Sequence, residues 1–590
     1  MFLRSTVRKK DGKEHEYFSI VENKRVAEGR VVQRHVLYLG EIKSSQQESW
    51  RKTIEIFEEG QARARTVALF PEERAVPVGA EEIVQIRLKD LQLKKPHQWG
   101  ACWLACEVYE KLELNRFWRE KLPASRKGTR WDLVLQTLVT YRLLDPGSEW
   151  NLHCKWFESS AMADLLGADF GLVESHKLYE CLDLLLPHKR ALFDHLTGRW
   201  KDLFNARFEV LLYDLTSTYF ESDPPFGEED KRKFGYSRDK RPDCVQVVIA
   251  LIVTPEGLPL SYEVMPGNTS DKTTLADFLK KVEEQYGKAQ RIWIMDRGIP
   301  TQKDLKAMQE SQPPVQYLVG TPKGSLRKHE QELAQLPCQK VREGVEVKLL
   351  HREKELYVLA QSQDRRKKEH AMRRPQLKWL WKRLKELQGM KYARKNEMVM
   401  KLGAARQRAP GAWRLVKIEI ATSESEPTFQ YSLRKKKLRD VRRREGRYLL
   451  RSNLTEENPA KLWHLYIQLT QVEEAFKNLK GDLALRPIFH QKEKRIEAHI
   501  FVAFLAYCLH VTLQNWLKDR APGLTPRSVL QKFAAVQMID VHLPTTDGRE
   551  VILSRYTQPE KDLQIILDQM NWQLPQQPPP KIKAAALSAN

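Results

Sequence analysis

Val210-Leu211-Leu212-Tyr213-Asp214-Leu215-Thr216-Ser217-Thr218-Tyr219 runs from apolar residues straight into a carboxylate. A strand buried on both faces has no use for a charge at its end unless something compensates it. A second run, Arg291-Ile292-Trp293-Ile294-Met295-Asp296, repeats the arrangement, and Arg297-Gly298 supplies a tight turn after it. Laid side by side, two such strands bring Asp214 and Asp296 to one sheet edge. The third segment, Tyr466-Ile467-Gln468-Leu469-Thr470-Gln471-Val472-Glu473, continues to Lys480 and reads as helix. Tyr466, Glu473 and Lys480 are spaced at seven residues, close to two helical turns, so one face is expected to carry all three. Glu474 lies about 100° round from Glu473 and is the decoy.

Each feature alone has an ordinary explanation. A strand-end Asp commonly caps the next turn, and a Glu with a Lys on a helix is usually a solvated face. Together they offer three carboxylates. Three carboxylates can hold two Mg²⁺ ions, and two metals can activate a nucleophile and stabilise the leaving oxygen of a phosphodiester.

The rest of the chain bounds that reading. At 590 residues it is too long for one hydrophobic core, so three or four domains are expected. The formal charge is +23, with a pI near 9.5, which favours a polyanionic partner. The seven cysteines are scattered, without a CxxC pair; they fit a reducing cytoplasm and argue against a disulfide framework or a structural zinc site. Met1-Phe2-Leu3-Arg4-Ser5 has no apolar signal core. The most apolar run, Ile500 to Val511, falls well short of the ~20 residues that span a bilayer and reads as a buried helix. A soluble intracellular protein is the expectation.

Six regions follow from the composition shifts. Residues 1–45 read as a β arm, with strand character at Glu16–Val21 and Arg30–Tyr38. Residues 46–205 are mostly helical, and most of their aromatic residues are expected in the core. Residues 206–325 carry strand-like runs at 208–214, 244–253, 258–264, 291–296 and 315–320, with a helix from Thr273 to Tyr286. That order describes the first half of a ribonuclease H-like sheet. Residues 326–450 interrupt it with possible strands and very basic stretches such as Arg365-Arg366-Lys367-Lys368 and Arg442-Arg443-Arg444, and are expected to be a basic, β-rich insertion that meets nucleic acid. Residues 451–545 return to long helices, around Leu462–Lys480 and Arg495–Leu517, and residues 546–590 form a C-terminal region with a disordered tail.

The pattern resembles the DDE insertion-sequence transposases, in the branch marked by a Tyr-x2-Arg-x3-Glu-x6-Lys signature. The third segment matches that signature at Tyr466, Glu473 and Lys480; Asp214–Tyr219 resembles the first-Asp motif and Asp296-Arg297-Gly298 the second. Gly267–Asp271, Tyr317–Lys323, and Leu485–His490 with Ile496 and His499 resemble further blocks of the family. The resemblance covers about 200–545 firmly and the N-terminal regions more loosely. It implies an α/β fold: a ribonuclease H-like core with a β-rich insertion domain, preceded by the β arm and a helical N-terminal region that binds DNA ends. It implies Asp214, Asp296 and Glu473 as catalytic metal ligands for two Mg²⁺ ions, with Mn²⁺ able to substitute. Tyr466, Lys480, Lys477, Arg297 and Lys323 are the implied DNA contacts. The implied partners are double-stranded DNA, as terminal inverted repeats and target, and a second copy of the chain in a synaptic complex. No membrane is implied; the compartment is a prokaryotic cytoplasm, at the nucleoid when DNA is bound. The implied chemistry is cut-and-paste transposition through a hairpin. Trp379, Trp381 and Trp413 are the candidates to stabilise a flipped base.

One departure stands out. The signature's Arg falls at position 469, which is Leu469 here. Lys477, one turn beyond Glu473, is expected to take over its phosphate contact, so that restoring Arg at 469 would rescue a Lys477→Ala variant. Competing readings are a ribonuclease H-like nuclease that cuts without joining, a catalytically silent DNA-binding descendant, and a glycosidase-type carboxylate pair. The last explains neither the net charge nor the third carboxylate's helix.

Overall fold

Val245-Gln246-Val247-Val248-Ile249-Ala250-Leu251-Ile252-Val253 is buried along its whole length, which only a strand covered on both faces can satisfy. The computed structural model places it inside a nine-stranded mixed sheet. The structure describes the whole chain except residues 11–12, 26–30, 43, 45, 49, 52–53, 55–85, 222–226, 228, 271–273, 288–290, 323–324, 353–354, 391–394, 422–427, 457, 547 and 584–590. Lys323, Asp271 and the C-terminal stub, all singled out in the sequence, lie outside the described residues.

A separate three-stranded antiparallel sheet opens the chain: β1 (Phe2–Lys10), β2 (Lys13–Arg25) and β3 (Val31–Gly40). The first of these has no counterpart in the sequence reading. β4 (Gln92–Gln98) follows, then helices Gly100–Lys111, Trp131–Leu144, Ser175–Leu185 and Lys189–Phe204. The main sheet begins with an antiparallel meander of β5 (Val210–Phe220), β6 (Val245–Val253) and β7 (Pro259–Pro266). Helix Leu275–Tyr286 crosses to β8 (Ile292–Met295), which pairs parallel with β5. Helix Gln302–Glu310 leads to β9 (Gln316–Gly320), parallel with β8.

The inserted region then adds β10 (Gln339–Arg342), β11 (Val345–Arg352) and β12 (Glu355–Ser362), a hairpin of β13 (Val416–Ile420) and β14 (Phe429–Leu433), and β15 (Arg447–Ser452). Four of these extend the main sheet in the order β10-β11-β12-β15-β9. The region was expected to be β-rich, but its longest elements are helices Gln363–Gln388 and Lys395–Arg408. Their dense charge masks the period: among their described residues only Leu380, Leu384, Leu387, Met398, Leu402 and Ala405 are buried, packing with Phe429 in a small core of their own. β16 (Gln537–Pro544), β17 (Glu550–Tyr556) and β18 (Lys581–Lys583) close a sheet with β4, far away in sequence.

Strand alternation sorts the core into two faces. Leu211, Tyr213, Trp293, Met295, Tyr317 and Val319 face helices Leu275–Tyr286 and Gln302–Glu310. Leu212, Ile294 and Leu318 face helices Leu469–Lys480 and Glu493–Arg520. The latter is the described helix long and apolar enough to cross a membrane, but 94% of its apolar window is buried inside the protein. His499 and His510 are buried with it. The seven cysteines are all free.

Candidate active site

β5 and β8 set the first two carboxylates. Parallel pairing places Leu212 opposite Ile294 and Tyr213 opposite Met295, so Asp214 and Asp296 are next in register on neighbouring strands, ~4.8 Å apart in the pairing direction. Period-two alternation turns both toward the face shared with Leu212 and Ile294. One expectation changes here. Asp214 does not end its strand; β5 runs on through Thr216-Ser217-Thr218 to Phe220, held by pairing with β6 from Leu212 to Phe220. Asp296 does follow the last residue of β8.

The third carboxylate comes from the helix on that same face. Leu469, Val472, Phe476 and Leu479 form its apolar stripe and are buried against the core, which leaves Glu473 exposed at the rim. The expected single helix around Leu462–Lys480 is instead two, Pro459–Ile467 and Leu469–Lys480, meeting at Gln468. The first is started by Asn458, whose side chain accepts from the amides of Ala460 (2.9 Å) and Lys461 (3.3 Å), with Pro459 at its first position. Tyr466 thus belongs to a different helix from Glu473, but the turn at Gln468 keeps both at one cleft.

That cleft has a volume of about 360 Å³ and is lined by Asp214, Asp296, Arg297, Tyr466, Leu469 and Glu473. Glu474 and Lys477 are not among its lining residues. Burial, with the charges of Asp296 and Glu473, raises the Asp214 carboxyl to about 7. Among the described residues, none of the three carboxylates forms a salt bridge. Oxygen donors crowded together are the donor set that a hard divalent cation takes, so these residues fit such an ion. Burial and Asp296 push the Tyr466 hydroxyl well above the usual phenol range, so it remains a proton donor.

The cleft's other wall comes from the inserted region. Arg365 and Glu369 of helix Gln363–Gln388, Arg444, and Arg447 at the start of β15 line it. Arg365 pairs with Glu369 at 3.0 Å and stands over the Tyr448 ring, 5.7 Å from its centroid. The sequence marks Arg365 and Arg444 only as members of basic runs; Glu369 carries no signal at all.

Lys480 sits outside this cleft. Its ammonium is 3.0 Å from Asp239, which also takes Arg486 at 2.8 Å, and burial lowers its proton affinity. Arg486 and Arg241 flank the Tyr219 ring at 5.1 and 4.8 Å. The expected common face of Tyr466, Glu473 and Lys480 therefore divides between two adjoining places. Of the three tryptophans, none lines the cleft: Trp379 lies under Arg408 at 4.6 Å, Trp381 meets Tyr431 edge-on at 4.9 Å, and Trp413 is half-buried in the small core.

Gly320 lies within the Tyr317–Lys323 block, but nothing in the sequence marks it as a site residue. Register places it beside Asp296, because Met295 pairs with Val319. A β-carbon there would stand 3.1 Å from the Tyr466 hydroxyl, 3.2 Å from the Arg297 amide and 3.4 Å from an Asp296 carboxylate oxygen. The Arg297 amide is backbone and yields little. Gly320→Ala is expected to slow cleavage roughly tenfold with the fold intact, since a ~1 Å misplacement can cost up to ~10²-fold. Single-turnover cleavage beside a thermal melt checks it.

Comparison with known proteins identifies the family. Residues 206–509 match the family described as "Transposase DDE domain", and residues 3–66 match "IS1634 family transposase, N-terminal domain". Among solved structures, the cryo-EM structure of the piggyBac transposase synaptic complex with hairpin DNA shares 10% identity, covering 73% of this chain and 77% of that one, with a TM-score of 0.33. A score that low carries no argument about this fold. No match is found among curated proteins. With more than half its length matched, this chain belongs to the DDE transposases: it is an insertion-sequence transposase, a metal-dependent enzyme that cuts and joins DNA.

Proposed function

We propose that this transposase moves its element by cut-and-paste chemistry at terminal inverted repeats, through a hairpin, in the branch that carries the Tyr-Arg-Glu-Lys signature. Asp214, Asp296 and Glu473 are the ligands of two Mg²⁺ ions, for which Mn²⁺ can substitute. When bound, the metals supply an activated nucleophile and stabilise the leaving oxygen. The observation that carries the reading is the locked register of Asp214 and Asp296 with Glu473 across one cleft from Arg365 and Arg444. Carboxylates on one wall and guanidinium groups on the other suit a phosphodiester held between them.

The strand order β7-β6-β5-β8-β9, antiparallel then parallel, supports a ribonuclease H-like core. The regions on either side of it are read as the DNA-end-binding part (46–205) and the insertion (326–450). Tyr466 and Arg297 hold the scissile strand in the cleft. Lys480 with Arg486 binds the flanking backbone once a phosphate displaces Asp239. Two copies act together in a synaptic complex, as the need to join two element ends requires.

Product analysis tests this directly. Wild-type protein with Mg²⁺ on DNA carrying the element's terminal repeats is expected to give a nick, then a hairpin, then a blunt double-strand break, resolved on native and denaturing gels. Nicks alone would replace the reading with a nuclease that does not join strands. Tight binding without any cut would replace it with a silent DNA-binding descendant.

A further inference from the structure

Glu149, His490 and His499 come from three separate segments and meet in the protein interior, away from the carboxylate cleft. Glu149 opens the short helix Glu149–Asn151, which Ser148 caps; His490 lies in the connector after Leu469–Lys480; His499 sits in the second turn of Glu493–Arg520. All three are buried, at 8%, 8% and 4% exposure. The same Glu149 oxygen, Oε1, is 3.2 Å from His490 Nε2 and 3.6 Å from His499 Nδ1. One donor atom from each residue lies within 4.8 Å of the others.

Those separations are informative. A tetrahedral ion with ligands at ~2.0–2.1 Å holds its donor atoms ~3.3 Å apart. Moreover, His499 Nε2 has no hydrogen-bond partner, and Nδ1 meets only the Glu149 oxygen at 3.6 Å, beyond hydrogen-bond distance. A buried imidazole with poorly satisfied nitrogens is costly, and a ligated ion would satisfy one of the two.

We propose that Glu149, His490 and His499 form a zinc site of three protein ligands, with a fourth position open to water. Two imidazoles and one carboxylate suit Zn²⁺, whereas the all-oxygen cleft suits Mg²⁺. Buried Arg142 lies close by and donates to the Ala484 carbonyl at 3.2 Å. Its guanidinium is near enough for its charge to act on the Glu149 carboxylate. Scattered cysteines gave no reason to expect zinc, and these ligands are not cysteines. The site would tie the helical N-terminal region to the connector that carries Arg486, and so fix the basic cluster beside the cleft. It does not depend on the proposed transposition chemistry.

Elemental analysis of protein purified without chelator tests the site. About one zinc per chain is expected in wild type and in an Asp214→Asn/Asp296→Asn variant, and none in His490→Ala/His499→Ala. Folded wild type that neither carries nor takes up zinc would overturn the proposal and leave a hydrogen-bonded network. Zinc that vanishes with the Asp214/Asp296 changes would overturn it by assigning the ion to the cleft. If the histidine variant does not fold, cobalt-substituted wild type decides: intense tetrahedral absorption bands support the site, and a weak six-coordinate spectrum overturns it.

Discussion

Asp214→Asn is expected to abolish cutting while making the metal-free protein more stable. The loss follows from removing a metal ligand: a deficit of several kcal/mol in the transition state is ~10³-fold or more in rate. Glu473→Gln is expected to match it, and Glu474→Gln to leave cutting unchanged. The stabilisation follows from Asp214 itself. Its carboxyl stands at about 7 in the fold, raised by burial and then by Asp296 and Glu473, against an ordinary value near 3.8. The folded state therefore holds the Asp214 proton more tightly than the unfolded state does. Well below pH 3.8 the two states are equally protonated and the residue costs nothing. As pH rises toward 7 the unfolded chain releases its proton first, and stability falls until the folded carboxyl also ionises. Above 7 the full penalty is present, with a ceiling of roughly 4 kcal/mol at ~1.4 kcal/mol per tenfold change in proton affinity. Thermal melts in chelator should show Asp214→Asn above wild type at about pH 8 and equal to it well below pH 3.8. The same proton competes with metal, so the Mg²⁺ needed for half-maximal cutting should rise about tenfold per pH unit below 7. Equal melting temperatures at both pH values would remove Asp214 from the buried carboxylate cluster.

Arg365→Ala is expected to lower cutting ten- to hundredfold, whereas Lys477→Ala should change it little. The signature position 469 holds a leucine that is 8% exposed and belongs to the helix's apolar stripe. Lys477 lies on an exposed part of that helix and does not line the cleft. Arg365 does line it, beside Tyr466 and Leu469, held by Glu369 and the Tyr448 ring. A charged hydrogen bond to phosphate contributes ~1.5–3 kcal/mol, which sets the expected range. Arg365→Lys should keep part of the activity, because the charge survives while the bidentate fork is lost. Cleavage rates for the four proteins at fixed salt decide the matter. A larger loss from Lys477→Ala than from Arg365→Ala would return the phosphate contact to the catalytic helix.

Local pattern carried much of this architecture. Val210–Asp214 and Ile292–Asp296 are legible as strands because both faces of each are apolar, and a charge after such a run stands out. Glu473 is legible against Glu474 because the apolar stripe of Leu469, Val472 and Phe476 fixes which way the helix faces. The helices of the inserted region were not legible, since so few of their residues are buried that period gives way to charge.

The residues that complete the sites were hidden for a different reason. Gly320 matters only because β9 pairs parallel with β8, and Arg365 only because the inserted helix folds back over the sheet. His490 and Glu149 are 341 residues apart. Sequence alone determined most strands of the central sheet and which segments carry carboxylates, because burial periodicity is written locally. Tertiary structure alone decided which charges share a cavity, because strand register and helix docking are long-range choices made by the whole core.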